Sequence, residues 1–326
     1  MNINIIGAGT WGATLGILLN KKGHYVSIWQ RDKSKTDDFV QTRKHPNLKD
    51  VKLPDDILFT SDLNDLDFNN LTILAIPSHT INSVLSKCIL KKGKYLIASK
   101  GFDINSTNLL SENLQSIYNV NLNNIAVLSG PNHAEEIILE MESASVVASV
   151  NENFSKEIQT LLSSQSFRVY RSTDIIGVQI GGAVKNVIAI ASGLCVGLNL
   201  GDNTQAALVS RGMNEISNLS NVYNLDNKTL YGLSGLGDLI ATCYSPHSRN
   251  RKLGILLAKG NSLEESVSEI GMISEGVNTC KILHEISNNN NIEMPICNEV
   301  YKILFKQVSA SDSLNKLMTR DLKDEN

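Results

Sequence analysis

One lysine stands where lysines are seldom found. The stretch from Asp174 to Ala191 is apolar except for a few polar positions, and Lys185 and Asn186 lie in its middle. Ile176, Ile180, Val184 and Ile188 recur at four-residue spacing, which makes a helical core stripe, and Asp174 is placed to cap the start. On the adjoining face Lys185 has Gly181 one turn before it and Ala189 one turn after, so its side chain has cleared space. A glycine inside a helix costs about 0.5–1 kcal/mol relative to alanine, so Gly181 and Gly182 imply that a backbone or a ligand comes close. Such a lysine either snorkels to solvent or moves a proton. The second role needs its ordinary pKa near 10.4 to fall to roughly 7 to 8, which partial burial beside a cation or cofactor can supply. Asn186 could orient a substrate hydroxyl.

Two further clusters follow. Tyr231 to Thr242 sets Asp238 among glycines and aliphatics, where an acid needs a cation or a hydroxyl, and Lys185 and Thr242 are the available partners. Next comes Ser248-Arg249-Asn250-Arg251-Lys252, with Ser248 as helix cap. Three cations in a first turn oppose the helix dipole unless an anion binds there, and a phosphate resolves the conflict. Arg249 can hold it bidentately, with Ser248 and Asn250 adding hydrogen bonds.

At the other end, Ile3 to Ile6 leads into Gly7-Ala8-Gly9-Thr10-Trp11-Gly12 and then an amphipathic segment. Gly7 allows a tight turn, Gly9 lets the backbone approach a pyrophosphate, and Gly12 lets the helix pack closely, the pattern of a dinucleotide site. The second strand ends Gln30-Arg31-Asp32. Arg31 favours a ribose 2′-phosphate, so NADP(H) is expected, while Asp32 leaves NAD(H) open. Polar residues after other strands count because open parallel sheets bind ligands at their carboxyl edge. Lys100 follows one apolar strand directly and could contact a phosphate or the cofactor; Gly130-Pro131-Asn132-His133-Ala134 follows another. His79 and His133 lack an acidic partner at a readable spacing and are expected to be structural.

The elements that must carry these residues fall into two kinds. Up to about Arg171, strand-length apolar runs alternate with amphipathic helical segments, the pattern of an α/β Rossmann-type doubly wound, mostly parallel sheet. From Thr173 onward long helical stretches take over, separated at Asn288 to Asn291 by a polar loop. We therefore expect a dinucleotide-binding domain over 1–173 and an all-helical substrate-binding domain over 174–326. A chain of 326 residues can bury two such cores. With 30 Lys+Arg against 33 Asp+Glu and no basic block, the chain has no charge for nucleic acid. Five scattered cysteines read as buried thiols without metal or redox spacing. The start shows no signal-peptide pattern, and the longest apolar stretch, near Val187 to Leu198, reads as too short and too interrupted for a membrane span. A cytoplasmic location is expected.

Taken together the motifs resemble bacterial-type NAD(P)-dependent glycerol-3-phosphate dehydrogenases. The matching pieces, in the family's order, are the Gly-Ala-Gly-Thr-Trp-Gly loop, Ser99-Lys100-Gly101, Ser129-Gly130-Pro131, Gly182 to Ala189, Gly235 to Leu239, Ser248 to Arg251 and Ser274-Glu275-Gly276. The resemblance implies Lys185 as proton donor or acceptor at the substrate C2 oxygen, with Lys100, Gly130, Asn132, Asp238, Ser248, Arg249 and Asn250 on substrate. It also implies a cofactor site formed by Thr10, Trp11, Arg31, Lys100, Ala134, Arg249, Ile273 and Glu275, in a Rossmann-plus-helical fold with the active site in the cleft. It implies hydride transfer to dihydroxyacetone phosphate for glycerophospholipid synthesis, no metal, and a homodimer. Where the family has a small hydroxyl residue and an aromatic after Gly-Pro, this chain has Asn132 and His133. Two other readings stay open: a related dehydrogenase of a 3-hydroxy or sugar acid, and a non-catalytic dinucleotide sensor.

Overall fold

The structure, a computed structural model, describes every residue except Lys91, Lys92, Met272, Ile273, Lys323 and Asn326, and of Asp50 only the backbone. The chain divides into two compact units, Met1–Gln179 and Ile180–Asn326.

The first unit holds the strands β1 (Asn2–Ile6), β2 (Tyr25–Trp29), β3 (Lys44–His45), β4 (Leu48–Lys52), β5 (Leu58–Thr60), β6 (Leu71–Leu74), β7 (Lys94–Ile97), β8 (Ile125–Ser129), β9 (Ser143–Ala148) and β10 (Phe167–Ser172). Eight of them form one sheet in the order β10-β9-β8-β7-β6-β1-β2-β5. Every pairing in it is parallel except β8 with β9. The expected fold class holds. Strands covered on both faces carry near-continuous apolar runs, which is why β6 and β8 are buried throughout. The one polar residue inside β1, Asn4, is satisfied: its Nδ2 donates to Asp67 O at 2.8 Å and to Thr72 Oγ1 at 3.4 Å. Between the strands lie α1 (Thr10–Lys21), α2 (Lys33–Thr42), α3 (Ile81–Leu85), α4 (Leu110–Ser116), α5 (Ala134–Ile138) and α6 (Glu152–Leu162). Helix α2, strand β5 and the β3–β4 hairpin are additions to the sequence reading; they are short or polar and carry little periodic signal.

Helix α7 (Ile175–Gly197) starts where Asp174 accepts the Gly177 N–H at 2.7 Å, the cap expected from sequence. The helix is 23 residues long with a hydropathy of 1.6 over its most apolar window, enough to cross a membrane, so the expectation of too short a stretch is corrected; 89% of that window is buried inside the protein. A core helix and a membrane helix share this composition, and burial separates them. The other helices of the second unit are α8 (Asp202–Asn218), α9 (Asn227–Leu230), α10 (Asp238–Tyr244), α11 (Arg249–Ala258), α12 (Leu263–Ile270), α13 (Glu275–Asn290), α14 (Pro295–Lys306) and α15 (Ala310–Met318). The expected polar loop at Asn288 to Asn291 is instead the last turn of α13, closed by Asn291 at φ 57. Side-chain bonds one turn apart hold it, Asn288 to His284 at 3.2 Å and Asn290 to the Ile286 carbonyl at 2.9 Å. All five cysteines are free thiols, with Cys88 half-buried and the other four buried. Burial pushes the Cys243 thiol up to about 12 and Cys88 up to about 11.

Candidate active site

In the helical unit the lysine of α7 meets the acid of α10. Lys185 is 5% exposed and Asp238 2%. Lys185 Nζ donates to Asp238 Oδ1 and, at 2.7 Å, to Thr242 Oγ1. The Thr242 hydroxyl is itself turned, because it donates to the Asp238 carbonyl one helical turn back at 2.6 Å, which leaves its lone pairs facing the ammonium. The approach depends on glycine. A Cβ on Gly181 would lie 2.6 Å from the Ser234 carbonyl, and one on Gly235 would lie 1.9 Å from the Leu230 carbonyl. Before α10 the chain makes a wide turn in which Gly237 N–H donates to Gly232 O at 3.1 Å, and this delivers Asp238 to the lysine. The pairing foreseen for Asp238 is present with both partners.

A second crossing brings α11 to α7. Cβ atoms on Gly193 and Gly254 would each lie 2.0 Å from a backbone carbonyl of the other helix, Arg251 O and Ile190 O. At this contact Asn250 Nδ2 donates to Asn186 Oδ1 at 2.9 Å, Gly276 N–H donates to Asn250 Oδ1 at 3.1 Å, and Asn186 Nδ2 donates to Gly182 O at 3.3 Å. The two amides form a fixed chain that joins α7, α11 and the start of α13. Ser248 caps α11 by accepting the Arg251 N–H at 3.2 Å. Arg249 is exposed, whereas Arg251 Nε is buried without a hydrogen-bond partner. Glu275 opens α13 and is half-buried, Ser274 Oγ beside it is buried without a partner, and Ile273 lies outside the described residues.

In the sheet unit the glycine loop does what its spacing requires. Gly7 has φ 116, and its Cβ would lie 2.5 Å from Ala75 O. A Cβ on Gly12 would lie 1.9 Å from Gly7 O, so this glycine packs the helix on the loop itself. Gly9 has nothing within 4 Å of a Cβ, the open cradle a pyrophosphate needs, and it caps α1 with no side chain over the first-turn N–H groups. Trp11 Nε1 is buried without a partner. These features fit a dinucleotide. Arg31 is exposed at the end of β2, and Asp32 caps α2 through Oδ1, which accepts Ser34 N–H at 3.0 Å and Lys35 N–H at 3.3 Å. At the end of β7, Lys100 Nζ donates to Gly130 O at 3.0 Å and to Asn132 Oδ1 at 2.7 Å. Gly130 has φ 137, and Ala134 begins α5. Asn132 Nδ2, Ser129 Oγ and Ser145 Oγ are buried without partners among the described residues, so polar hydrogen-bonding capacity gathers unused at this corner. Sequence reasoning quoted Ser129 only within a motif and missed Ser145, and it missed His45 and Asn47 of the β3–β4 hairpin, which reach the glycine loop; apolar or lysine-rich neighbours hid them. Among the described residues no group of three His, Cys, Asp or Glu side chains could hold a metal.

A loop shaped for a pyrophosphate and a buried lysine fixed between an acid and a hydroxyl are the equipment of a nicotinamide-dependent dehydrogenase. Family models described as the N-terminus and C-terminus of NAD-dependent glycerol-3-phosphate dehydrogenase match residues 2–155 and 174–315. The chain is 41% identical over 329 residues to glycerol-3-phosphate dehydrogenase [NAD(P)+] of Thermoanaerobacter sp., covering 100% of this chain and 99% of that protein. The corresponding enzyme of Clostridium botulinum is 42% identical, with 99% and 98% covered. The solved glycerol-3-phosphate dehydrogenase of Coxiella burnetii superposes with a TM-score of 0.90 at 32% identity, covering 98% of this chain and 99% of that one. D-mandelate dehydrogenase, at 15% identity and TM-score 0.64, shares the fold alone. The chain belongs to the NAD(P)-dependent glycerol-3-phosphate dehydrogenase family, oxidoreductases acting on a CH–OH group.

Proposed function

We propose that the protein interconverts dihydroxyacetone phosphate and sn-glycerol 3-phosphate, with Lys185 as the proton donor and acceptor at the C2 oxygen. The observation that carries this reading is the buried Lys185 held between Asp238 and Thr242. When bound, the nicotinamide supplies or accepts hydride at its C4. As the C2 carbonyl becomes an alkoxide, the Lys185 ammonium gives it a proton and later regains one from solvent; in oxidation the neutral amine takes the hydroxyl proton. Asp238 and Thr242 keep Nζ from swinging, and the Asn186–Asn250 chain steadies the turn beside it. Ser248, Arg249 and Asn250 take the substrate phosphate, with the exposed Arg249 closing on it bidentately. Lys100, Gly130 and Asn132 take the remaining polar groups, with Asn132 Nδ2 as an available donor. For the cofactor, Thr10, Trp11 and the glycines hold the pyrophosphate side, and Ala134, Ile273 and Glu275 are proposed as further contacts. At the ribose position the exposed Arg31 favours NADP(H), while Asp32, which caps α2 through Oδ1, leaves NAD(H) open.

Residues 1–173 act as the dinucleotide-binding domain and 174–326 as the catalytic domain of a cytoplasmic homodimer, and reduction supplies glycerol phosphate for phospholipids. The test is spectrophotometric: NADPH and NADH oxidation with dihydroxyacetone phosphate, for wild type and Lys185→Ala. The wild type turns over and the variant does not. A silent wild type, or a variant at full rate, overturns the assignment.

A further inference from the structure

The β3–β4 hairpin grips the glycine loop through two side chains. His45 is 6% exposed and stacks on Phe39 of α2, ring centroids 5.6 Å apart and planes 12° from parallel. Its Nε2 lies 3.2 Å from the Ala8 carbonyl, and its Nδ1 lies 3.2 Å from the Asn47 backbone nitrogen. Asn47 Nδ2 in turn donates to Thr10 Oγ1 at 3.2 Å. A backbone N–H can only donate, so Nδ1 must accept; the proton therefore sits on Nε2, and the ring is the neutral tautomer. The Ala8–Gly9 peptide is planar and trans, so its carbonyl and its N–H point to opposite sides. Fixing Ala8 O on His45 thus turns the Gly9 N–H away from the hairpin, on the side where the loop backbone must face a phosphate.

Resting on cofactor binding at the glycine loop, we propose that His45 is a positioning residue: its neutral ring fixes the Ala8–Gly9 peptide for the pyrophosphate, and its protonation releases the loop and weakens cofactor binding. A proton on Nδ1 sets a second N–H against that of Asn47, which must withdraw and take the Thr10 contact with it. The charge facing the ring from α5 is Glu135, which favours protonation; α2 presents the uncharged Phe39, and the loop presents the Ala8 carbonyl. Burial outweighs Glu135 and holds His45 below its ordinary 6.5. The neutral form therefore prevails above pH 6.5, and the grip is lost as the pH falls through the lowered value.

Equilibrium titrations of NADH and of ADP-ribose, followed by tryptophan fluorescence on the whole chain, test this without turnover. Wild-type Kd rises as the pH is carried down from about 7.5 until His45 is protonated, as far as the fold persists, by about tenfold in all, the size of one lost hydrogen bond. His45→Gln, which can donate but cannot titrate, gives a flat profile. His45→Phe keeps the stack on Phe39 and loses both bonds, so ADP-ribose binds about tenfold more weakly at the higher pH while adenosine binding is unchanged. A flat wild-type profile, a His45→Gln profile that still bends, or equal weakening of adenosine and ADP-ribose overturns the proposal. The wild-type titration decides the matter even where a variant fails to fold.

Discussion

Asp238→Asn removes one charge from an ion pair enclosed on both sides, with Lys185 and Asp238 side chains 6% and 2% exposed. Taking away one partner of a buried pair costs about 3–5 kcal/mol, because the other charge is left uncompensated in a medium that solvates it poorly. The asparagine Oδ1 still accepts from Nζ and Thr242 still accepts at 2.7 Å, so the lower end applies, about 3 kcal/mol. For a unit of this size each kcal/mol moves the melting midpoint by about 2–4 °C, giving a fall of about 6–12 °C. Urea unfolding should show a lower midpoint at unchanged slope, since no extra surface is exposed. Turnover of dihydroxyacetone phosphate should drop at least about 100-fold, because without the facing carboxylate the buried site favours the neutral amine, which has no proton to give the C2 oxygen. The control is Glu140→Gln, which breaks the surface pair Lys21–Glu140, 53% and 66% exposed, and should leave the midpoint where it is. Lys185→Met/Asp238→Leu should recover much of the lost stability while staying inactive, since apolar groups of similar volume replace a buried pair at little cost. An Asp238→Asn protein that melts with the wild type would refute the reasoning, because a carboxylate so easily spared is not holding a buried ammonium.

Gly9→Ala meets no atom within 4 Å and should melt within about 0.5 kcal/mol of wild type, yet bind NADH at least about tenfold more weakly, whereas Gly12→Ala, 1.9 Å from Gly7 O, should lose about 3 kcal/mol in urea. Glu215 accepts N–H bonds from Ile296 and Cys297 at 2.6 and 3.1 Å, and burial pushes its carboxyl from 4.5 up to about 7. The folded state therefore holds a proton that the unfolded chain gives up, so this contribution is fully present below pH 4.5 and is lost as the pH rises through about 7, on the order of 3 kcal/mol in all. Glu215→Gln should flatten that part of the stability profile measured by urea melts, and an unchanged slope would count against the burial. Arg249→Ala, at an exposed position, should leave the melt alone but raise the KM for dihydroxyacetone phosphate about tenfold to a hundredfold, with little effect on an unphosphorylated analogue; equal losses on both would remove the phosphate contact from the mechanism.

The parts of this molecule that could be read from sequence are those governed by short spacing. Strands covered on both faces carry near-continuous apolar runs, so β1, β2 and β8 lie where their runs predict. Lys185 with Gly181 one turn away, and Asp238 alone among aliphatics, each announced a missing partner, and they proved to be partners of each other. What spacing cannot show is which distant backbones touch. The crossing of α7 on α11 is licensed by Gly193 and Gly254, some sixty positions apart in the chain, and only that contact turns Asn186 toward Asn250 rather than leaving it beside a hydroxyl. The same limit hid the cap that Asp32 Oδ1 makes on α2. It hid His45 as well, because a two-residue strand in a charged hairpin carries no period at all.

At position 132 the chain has an asparagine where the resemblance leads one to expect a small hydroxyl residue. A hydroxyl there offers one atom that both donates and accepts; asparagine splits those roles between two atoms. Asn132 Oδ1 takes the Lys100 ammonium at 2.7 Å, which leaves Nδ2 buried with nothing to donate to. An unpaired buried donor costs about 1–3 kcal/mol, so the arrangement makes physical sense when an acceptor arrives from outside, as an oxygen of the phosphorylated substrate would. Gly130, held at φ 137 with no room for a Cβ beside Ser145, fixes the carbonyl that shares Lys100 and so fixes which way the amide faces. Asparagine thus holds the lysine with one atom and keeps a separate donor beside it, two tasks that one hydroxyl would have to divide.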